Sequence, residues 1–184
     1  ASFAVTASGP YVAGSPFGAR VEARNASGAV AANFGRESSP ETVVLRAVAD
    51  SAASATNSQL VGPAGGATGT LTPGAFAAVN CTPSSAGSVC DSALAWTEVG
   101  DLVLAAALSS GNYLGSGLAA WGSGTAGPFR PAYLESAIVA GCVAGGFTYS
   151  AQPFALTVTA RNAFGAPTQN YAGTYAKAAV LSDA

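Results

Sequence analysis

The sequence contains no histidine and no methionine, and few of its residues carry a charge. Without histidine, neither a Ser-His-Asp triad nor a Cys-His dyad can form within the chain. Charged residues make up 9% of the 184 residues, whereas about a quarter is usual for a soluble domain. The chain has seven basic residues, a net charge of −2 and no basic stripe. Nucleic acid is therefore not an expected partner.

Long apolar runs are also missing from the sequence. The longest weakly polar stretch, residues 102–108, is much shorter than the about 20 residues that a membrane-spanning helix needs. No transmembrane segment is therefore predicted. The abundance of Ser, Thr, Gly and Ala indicates a neutral surface, which is typical of a secreted or cell-surface protein. Apolar residues make up 49% of the chain, enough for a core, although alanine contributes little buried area.

Three cysteines are present. Cys81 and Cys90 enclose eight residues, a loop that a disulfide bond closes easily, and such a bond contributes on the order of 2–3 kcal/mol. This pairing predicts an oxidising compartment outside the cytoplasm. Cys142 has no evident partner in the sequence, so we expect it to be either free or paired with a cysteine beyond residue 184.

The sequence contains one long repeat. Residues 16–33 read PFGARVEARNASGAVAAN and residues 153–170 read PFALTVTARNAFGAPTQN, with ten of the eighteen positions identical. The offset of 137 residues is too long for a solenoid and is typical of consecutive whole domains. Each copy combines period-two alternation, which predicts a half-buried strand, with an Asn-x-x-Gly turn. We interpret the recurring Arg-Asn pair as strand-end and turn architecture; a repeated ligand contact is the alternative.

Many short strands separated by Gly, Pro, Ser and Asn predict an all-β fold of tandem immunoglobulin-like β-sandwich domains. The first domain is expected at 1–121, and the composition of GSGTAGPFRP predicts a linker at 122–131. Residues 132–184 are expected to form the first half of a second domain. An incomplete sandwich leaves open edges, which invite strand complementation by a neighbouring subunit or completion by downstream sequence. The strands are predicted at residues 3–7, 17–24, 41–49, 69–72, 93–98, 101–108, 133–139, 154–161 and 175–181.

Three segments resemble a known bacterial family. FTYSAQPFALTVTARNAFGAPTQNYAGTYAKAAVL (147–181) is similar to the stretch FTYMGQPF…LTARNAAGATTQNYTGAFAKL of a domain of unknown function found in MshQ-type proteins, and segments 94–117 and 127–136 also resemble it. These proteins are linked to biogenesis of the mannose-sensitive haemagglutinin pilus. The resemblance implies a tandem immunoglobulin-like surface or pilus-associated protein, and it supplies no catalytic residues. The chain departs from the pattern at residues 149–152, where Tyr-Ser-Ala-Gln replaces Tyr-Met-Gly-Gln.

Taken together, these features predict a non-catalytic structural or stalk module of an extracellular or cell-surface bacterial protein, part of a pilus- or fibre-associated adhesion apparatus. Glu98 and Asp101 flank one turn, which does not give the two sides of a glycosidase cleft. No enzyme activity, cofactor or metal is expected, and neighbouring domains or fibre subunits are the expected partners. The alternative is a lectin-like module for a surface glycan. The candidate residues for stacking on a ligand, or for packing an interdomain joint, are Tyr113, Trp121, Phe129 and Tyr133.

Overall fold

The computed structural model describes residues 2–39, 41–50, 79–80, 83–84, 87–108, 110–142 and 144–178. Within these ranges the chain forms β-strands and two short 3-10 turns, at Tyr113–Gly115 and Gly173–Tyr175, and no α-helix. The prediction of an all-β fold is confirmed. The strands are β1 (Ser2–Ser8), β2 (Pro16–Arg24), β3 (Thr42–Asp50), β4 (Val79–Asn80), β5 (Pro83–Ser84), β6 (Gly87–Ala95), β7 (Gly100–Leu108), β8 (Trp121–Phe129), β9 (Tyr133–Val139) and β10 (Ala155–Arg161).

Eight of the strands form two four-stranded antiparallel sheets. The strand order is β1-β2-β6-β5 in one sheet and β4-β3-β7-β8 in the other. In both sheets the two central strands, β2 with β6 and β3 with β7, are not consecutive along the chain, so the chain passes between the sheets. The topology therefore agrees with the predicted β-sandwich.

The core lies between these two sheets and follows from the alternation in the strands. In β7 every second residue from Gly100 to Leu108 is buried, and in β2 the buried positions run from Phe17 to Ala23. Trp96, which lies between β6 and β7, is completely buried. The strands predicted at 93–98 and 101–108 are consecutive along the chain but do not pair with each other, because β6 and β7 lie in different sheets and the chain crosses the core at Trp96.

The predicted linker is wrong for residues 122–129, which belong to β8 and pair with β7. The glycines there reflect close packing and not a flexible connection. A Cβ atom at Gly122 would overlap the carbonyl oxygen of Phe3, and one at Gly124 would overlap that of Val5. Only glycine lets the backbone of β8 approach β1 this closely.

Among the described residues the third sheet consists of β9 and β10, paired from Tyr133 opposite Arg161 to Val139 opposite Ala155. The predicted bounds of β9 are those observed. The same face of this sheet carries apolar side chains that correspond to the buried face of β1 and β2. They remain partly or largely solvent-accessible here: Leu134, Ile138, Leu156 and Val158.

Several predictions fall at or beyond the edges of the described residues. The strand predicted at 175–181 is wrong for 175–178, because a 3-10 turn at Gly173–Tyr175 is followed by irregular chain. The remaining residues of that strand and the strand at 69–72 lie outside the described part. Cys81 and the side chain of Cys90 also lie outside it, so their disulfide stays a prediction. Cys142 is half-buried and has no disulfide partner among the described residues.

Candidate functional site

The two copies of the repeat end in the same turn. In the first copy, the Asn25 side-chain oxygen accepts hydrogen bonds from the N–H groups of Ser27 and Ala29, both at 3.0 Å. The Arg24 guanidinium donates to the Gly28 carbonyl oxygen at 2.9 Å. Asn is suited to this geometry because its short side chain bonds to the backbone that follows it.

The second copy repeats this arrangement bond for bond. The Asn162 side-chain oxygen accepts from the N–H groups of Phe164 (3.0 Å) and Ala166 (3.1 Å). The Arg161 guanidinium donates to the Gly165 carbonyl oxygen at 2.6 Å. The interpretation of the recurring Arg-Asn pair as strand-end and turn architecture is therefore confirmed.

The second copy has contacts that the first copy does not make, because its turn docks on the sandwich. The side-chain amide of Asn162 donates to the Thr97 carbonyl oxygen (3.1 Å), and Asn162 is only 2% exposed. The Ala163 N–H donates to the Ala13 carbonyl oxygen (2.8 Å). We call this contact region the joint.

A buried carboxylate completes the joint. Glu98 is 8% exposed, and its side chain accepts a hydrogen bond from the Asn170 N–H at 3.0 Å. A carboxylate bonded to a backbone N–H forms a stronger hydrogen bond than a neutral acceptor. Glu98 therefore fixes a second loop of the repeat against the sandwich.

Gly14 allows the turn of the second copy to pack closely against the sandwich. Its φ is +81°, and a Cβ there would lie 2.8 Å from the Ala163 nitrogen and 3.2 Å from a ring carbon of Phe164. A side chain at this position would be both strained and in the way of the docked turn. The turn that contains Gly14 is itself held to the sandwich, because the Gly14 N–H donates a hydrogen bond to the Trp96 carbonyl oxygen.

The corresponding turn of the first copy borders a cavity of about 360 Å³ at one end of the sandwich. Its walls combine the rings of Phe3, Phe34 and Tyr113 with the polar groups of Asn25 and Asn33. Tyr113 stacks on Phe34, with ring centroids 5.8 Å apart. The cavity is thus aromatic on one side and has hydrogen-bond donors on the other.

Two carboxylates hold the segment around Tyr113 at this cavity. The Tyr113 hydroxyl donates to Glu37, and the Leu114 N–H donates to Glu41 at 2.9 Å. The hydrogen bond to Glu37, together with burial and the negative charges of Glu37 and Glu41, raises the pKa of Tyr113 to about 12. Tyr113 therefore remains a neutral donor throughout the physiological range.

A second and larger cavity, of about 770 Å³, lies between residues 128–134, where β8 ends and β9 begins, and residues 171–177, which follow the second copy of the repeat. Its walls include three tyrosines and two cations. Amphipathic rings next to charged groups form the kind of surface that binds polar ring compounds such as sugars. The lining residues used below are Tyr133, Tyr171, Tyr175, Arg130 and Lys177.

The structure does not bring the four predicted contact residues together at one place. Tyr113 borders the smaller cavity, and Tyr133 borders the larger one. Phe129 also borders the larger cavity, but it is 3% exposed and packs in the core on Phe17 and Tyr11. Trp121, at the start of β8, is 69% exposed.

The residues that form the joint were not predicted as contact residues. Asn162 and Asn170 are identical to Asn25 and Asn33 in the repeat, and this identity was the available signal. It was interpreted as turn architecture alone. Two of the three acceptors of the joint gave no signal, because they are the backbone carbonyl groups of Ala13 and Thr97.

Two searches of the described residues gave negative results. Within that part of the chain, no group of three or more His, Cys, Asp or Glu side chains could hold a metal ion. No helix there has the length and apolar character needed to cross a membrane.

Comparison with known proteins gives one match. Residues 98–184 match the family model described as DUF6701, third domain, an uncharacterised bacterial domain. The match includes Glu98, the joint-forming turn and the strands β7 to β10. No curated protein and no solved structure matches the chain.

Proposed function

We propose that this chain is a non-catalytic structural module of a secreted or cell-surface bacterial protein, in which consecutive β-sandwich units are fixed to each other as a spacer or fibre segment. The observation that carries the proposal is the joint. Its three hydrogen bonds connect Asn162, Ala163 and Asn170 to the preceding sandwich. A linker without such contacts would let the units move independently.

Two further observations support this proposal. The match to a bacterial domain in residues 98–184 is consistent with the resemblance to MshQ-type proteins of the pilus apparatus. The partly exposed apolar face of β9 and β10 suits a neighbouring domain or fibre subunit that would cover it, as the opposite sheet covers β1 and β2. A Cys81–Cys90 disulfide would fit an oxidising compartment.

Amide exchange tests the mechanical part of the proposal. We expect the N–H groups of Ala163 and Asn170 to exchange more slowly than those of Ala26 and Asn33, which occupy the same positions in the first copy. Slow exchange would reflect the bonds to Ala13 and Glu98. Equal exchange in the two copies would contradict a fixed joint. Immunogold labelling of intact cells of the source bacterium tests the location, since a cytoplasmic protein would remain unlabelled.

A lectin-like function is a second candidate, supported by the larger cavity. Tyr133, Tyr171 and Tyr175 place three amphipathic rings around about 770 Å³ beside Arg130 and Lys177. Binding on a glycan array that is lost in Tyr133→Ala and retained in Trp121→Ala would place a glycan in this cavity. Loss in Trp121→Ala alone would instead place it on the exposed face of β8. No binding by the unaltered chain would leave the structural function as the only candidate.

A further inference from the structure

All three hydrogen-bond donors of the joint have an identical counterpart in the first copy of the repeat. Asn162, Ala163 and Asn170 correspond to Asn25, Ala26 and Asn33, each at the offset of 137 residues. Other positions in the repeat differ, including Phe164, which corresponds to Ser27. The donor set that docks the second copy is therefore also present on the first.

In the first copy these donors have no acceptor. Asn25, Ala26 and Asn33 are exposed, and among the described residues no acceptor contacts the Asn25 side-chain amide or the N–H groups of Ala26 and Asn33. The turn itself is already formed, as the bonds from Asn25 to Ser27 and Ala29 show. It therefore presents the docking geometry without needing to be reorganised.

The cavity beside this turn is lined by residues of the same turn. Asn25, Asn33 and Arg24 all border the cavity of about 360 Å³. The Arg24 guanidinium is already engaged, because it donates to the Gly28 carbonyl oxygen at 2.9 Å and pairs with the Glu22 carboxylate at 2.6 Å. The donors that this region offers to a partner are therefore those of Asn25, Ala26 and Asn33.

We propose that the turn Asn25–Ala29, together with Asn33 and the adjoining cavity, is a docking face for a second β-sandwich with the sequence of residues 1–131. The Ala13 and Thr97 carbonyl groups of that sandwich accept hydrogen bonds from Ala26 and Asn25. Its Glu98 accepts from Asn33, as Glu98 of this chain accepts from Asn170. This inference rests on the proposed function, because it repeats the joint at the other end of the first unit and gives a head-to-tail array.

The acceptor is a unit like residues 1–131 and not one like the second copy. The turn at Val12–Ser15 has a counterpart at 149–152, with the same backbone bond from the fourth residue to the first, at 2.9 and 3.0 Å. Where the first turn has Gly14, however, the second has Ala151, also at positive φ (+63°). The Cβ of Ala151 would stand where the docked nitrogen needs room.

Strand register fixes where two units should be connected. Ser2 lies opposite Arg24 in the first unit, and Tyr133 lies opposite Arg161 in the second. Residue 132 is therefore equivalent to residue 1, and residues 1–131 placed directly before the complete chain reproduce the native junction. Direct connection also supplies a high effective concentration, which offsets the smaller contact made by Ser27 in place of Phe164.

The experiment is amide exchange in this fusion, with isotope label only in the complete chain. We expect the N–H groups of Ala26 and Asn33 to exchange at least about tenfold more slowly than in the chain alone. The Ala163 N–H is the internal control, because its joint is present in both proteins. Protection of Ala163 without protection of Ala26 would overturn this inference and leave the proposed function intact. Loss of protection at Ala163 would instead contradict the proposed function.

A matched variant and a second arrangement make the result decisive. Glu98→Ala in the added copy alone should restore fast exchange at Asn33 and leave Asn170 protected, since Asn170 contacts the Glu98 of its own chain. If the added copy does not fold, labelled wild-type chain is mixed with unlabelled Ala163→Pro chain, whose Ala13 acceptor is vacated. Slowed exchange at Ala26 supports the docking face, and unchanged exchange at Ala26 in an arrangement whose added sandwich is folded overturns it.

Discussion

Asn25 and Asn162 have the same neighbours in sequence and form the same turn, yet only Asn162 is buried. In both residues the side-chain oxygen holds the turn, so substitution by aspartate retains that acceptor. The side-chain N–H₂ group has a partner only at Asn162, where it donates to Thr97. Comparing the same substitution at Asn162 and at Asn25 therefore separates the contribution of the joint to stability from that of the turn.

Asn162→Asp should lower the free energy of unfolding of the part formed by β9 and β10 by about 1–3 kcal/mol, because it removes a buried hydrogen bond and places a carboxylate against the Thr97 carbonyl oxygen. Asn25→Asp is the matched control and should change it by less than about 0.5 kcal/mol, since Asn25 is exposed. Urea unfolding followed by circular dichroism measures both values. Equal effects in the two variants would mean that the joint bond contributes no stability.

The raised pKa of Tyr113 makes the free energy of unfolding depend on pH in alkaline solution. Its pKa is raised to about 12 in the folded protein, first by the hydrogen bond to Glu37, and is about 10 in the unfolded chain. The folded state therefore holds this proton more tightly. The stabilisation is fully present below pH 10 and is lost as the pH rises towards 12.

We therefore expect the tyrosinate absorbance at 295 nm to show one tyrosine that titrates about two units above the usual value. Tyr113→Phe should remove that component and should also reduce the loss of stability between pH 10 and 12. Tyr149→Phe serves as the control, because Tyr149 is 64% exposed. The assignment to Tyr113 would be wrong if the late component persisted in Tyr113→Phe.

The strand β8 is rich in glycine, which is unusual for a strand, and two of its glycines pack closely against β1. Gly122 and Gly124 face β1, where an added Cβ would overlap the carbonyl oxygens of Phe3 and Val5. Ser123, between them, is exposed. The alternation is thus glycine inward and polar outward.

Gly122→Ala and Gly124→Ala should each destabilise the sandwich by about 1–3 kcal/mol or more, because β8 must move away from β1 to accommodate the methyl group. Ser123→Ala should change stability by less than about 0.5 kcal/mol. Thermal unfolding of the three variants provides the comparison. If Gly122→Ala is as stable as Ser123→Ala, residues 122–124 form a flexible connection instead of a packed strand.

Strands with apolar alternation were predictable from the sequence, and β8 was not. β2, β7, β9 and β10 combine alternation with branched or aromatic residues, and the predicted bounds are close to those observed. In β8 the closely packed residues are glycines, which are also common in linkers, so the sequence pattern did not indicate a strand. The joint escaped prediction for a related reason, since the acceptors contributed by Ala13 and Thr97 are backbone atoms that any residue possesses.

At the scale of the whole molecule, the sandwich and the β9–β10 sheet differ in how they bury apolar surface. The two large sheets enclose a common core, whereas every residue of β9 is exposed. A two-stranded sheet alone is marginally stable in water. The order of β9 and β10 should therefore depend on the joint, which fixes the turn after Arg161 to the sandwich.

Loosening the joint should consequently affect one part of the molecule only. In Asn162→Asp we expect the amides of β9 and β10 to exchange faster, while those of β2 and β7 keep their wild-type rates because Asn162 does not belong to the buried apolar cluster of the sandwich. Asn25→Asp is the control and should leave both sets unchanged. Amide exchange resolved along the chain distinguishes the outcomes. Unchanged protection of β9 and β10 would mean that the small sheet is stable without the joint, and uniformly faster exchange would mean that the two parts unfold as one cooperative unit.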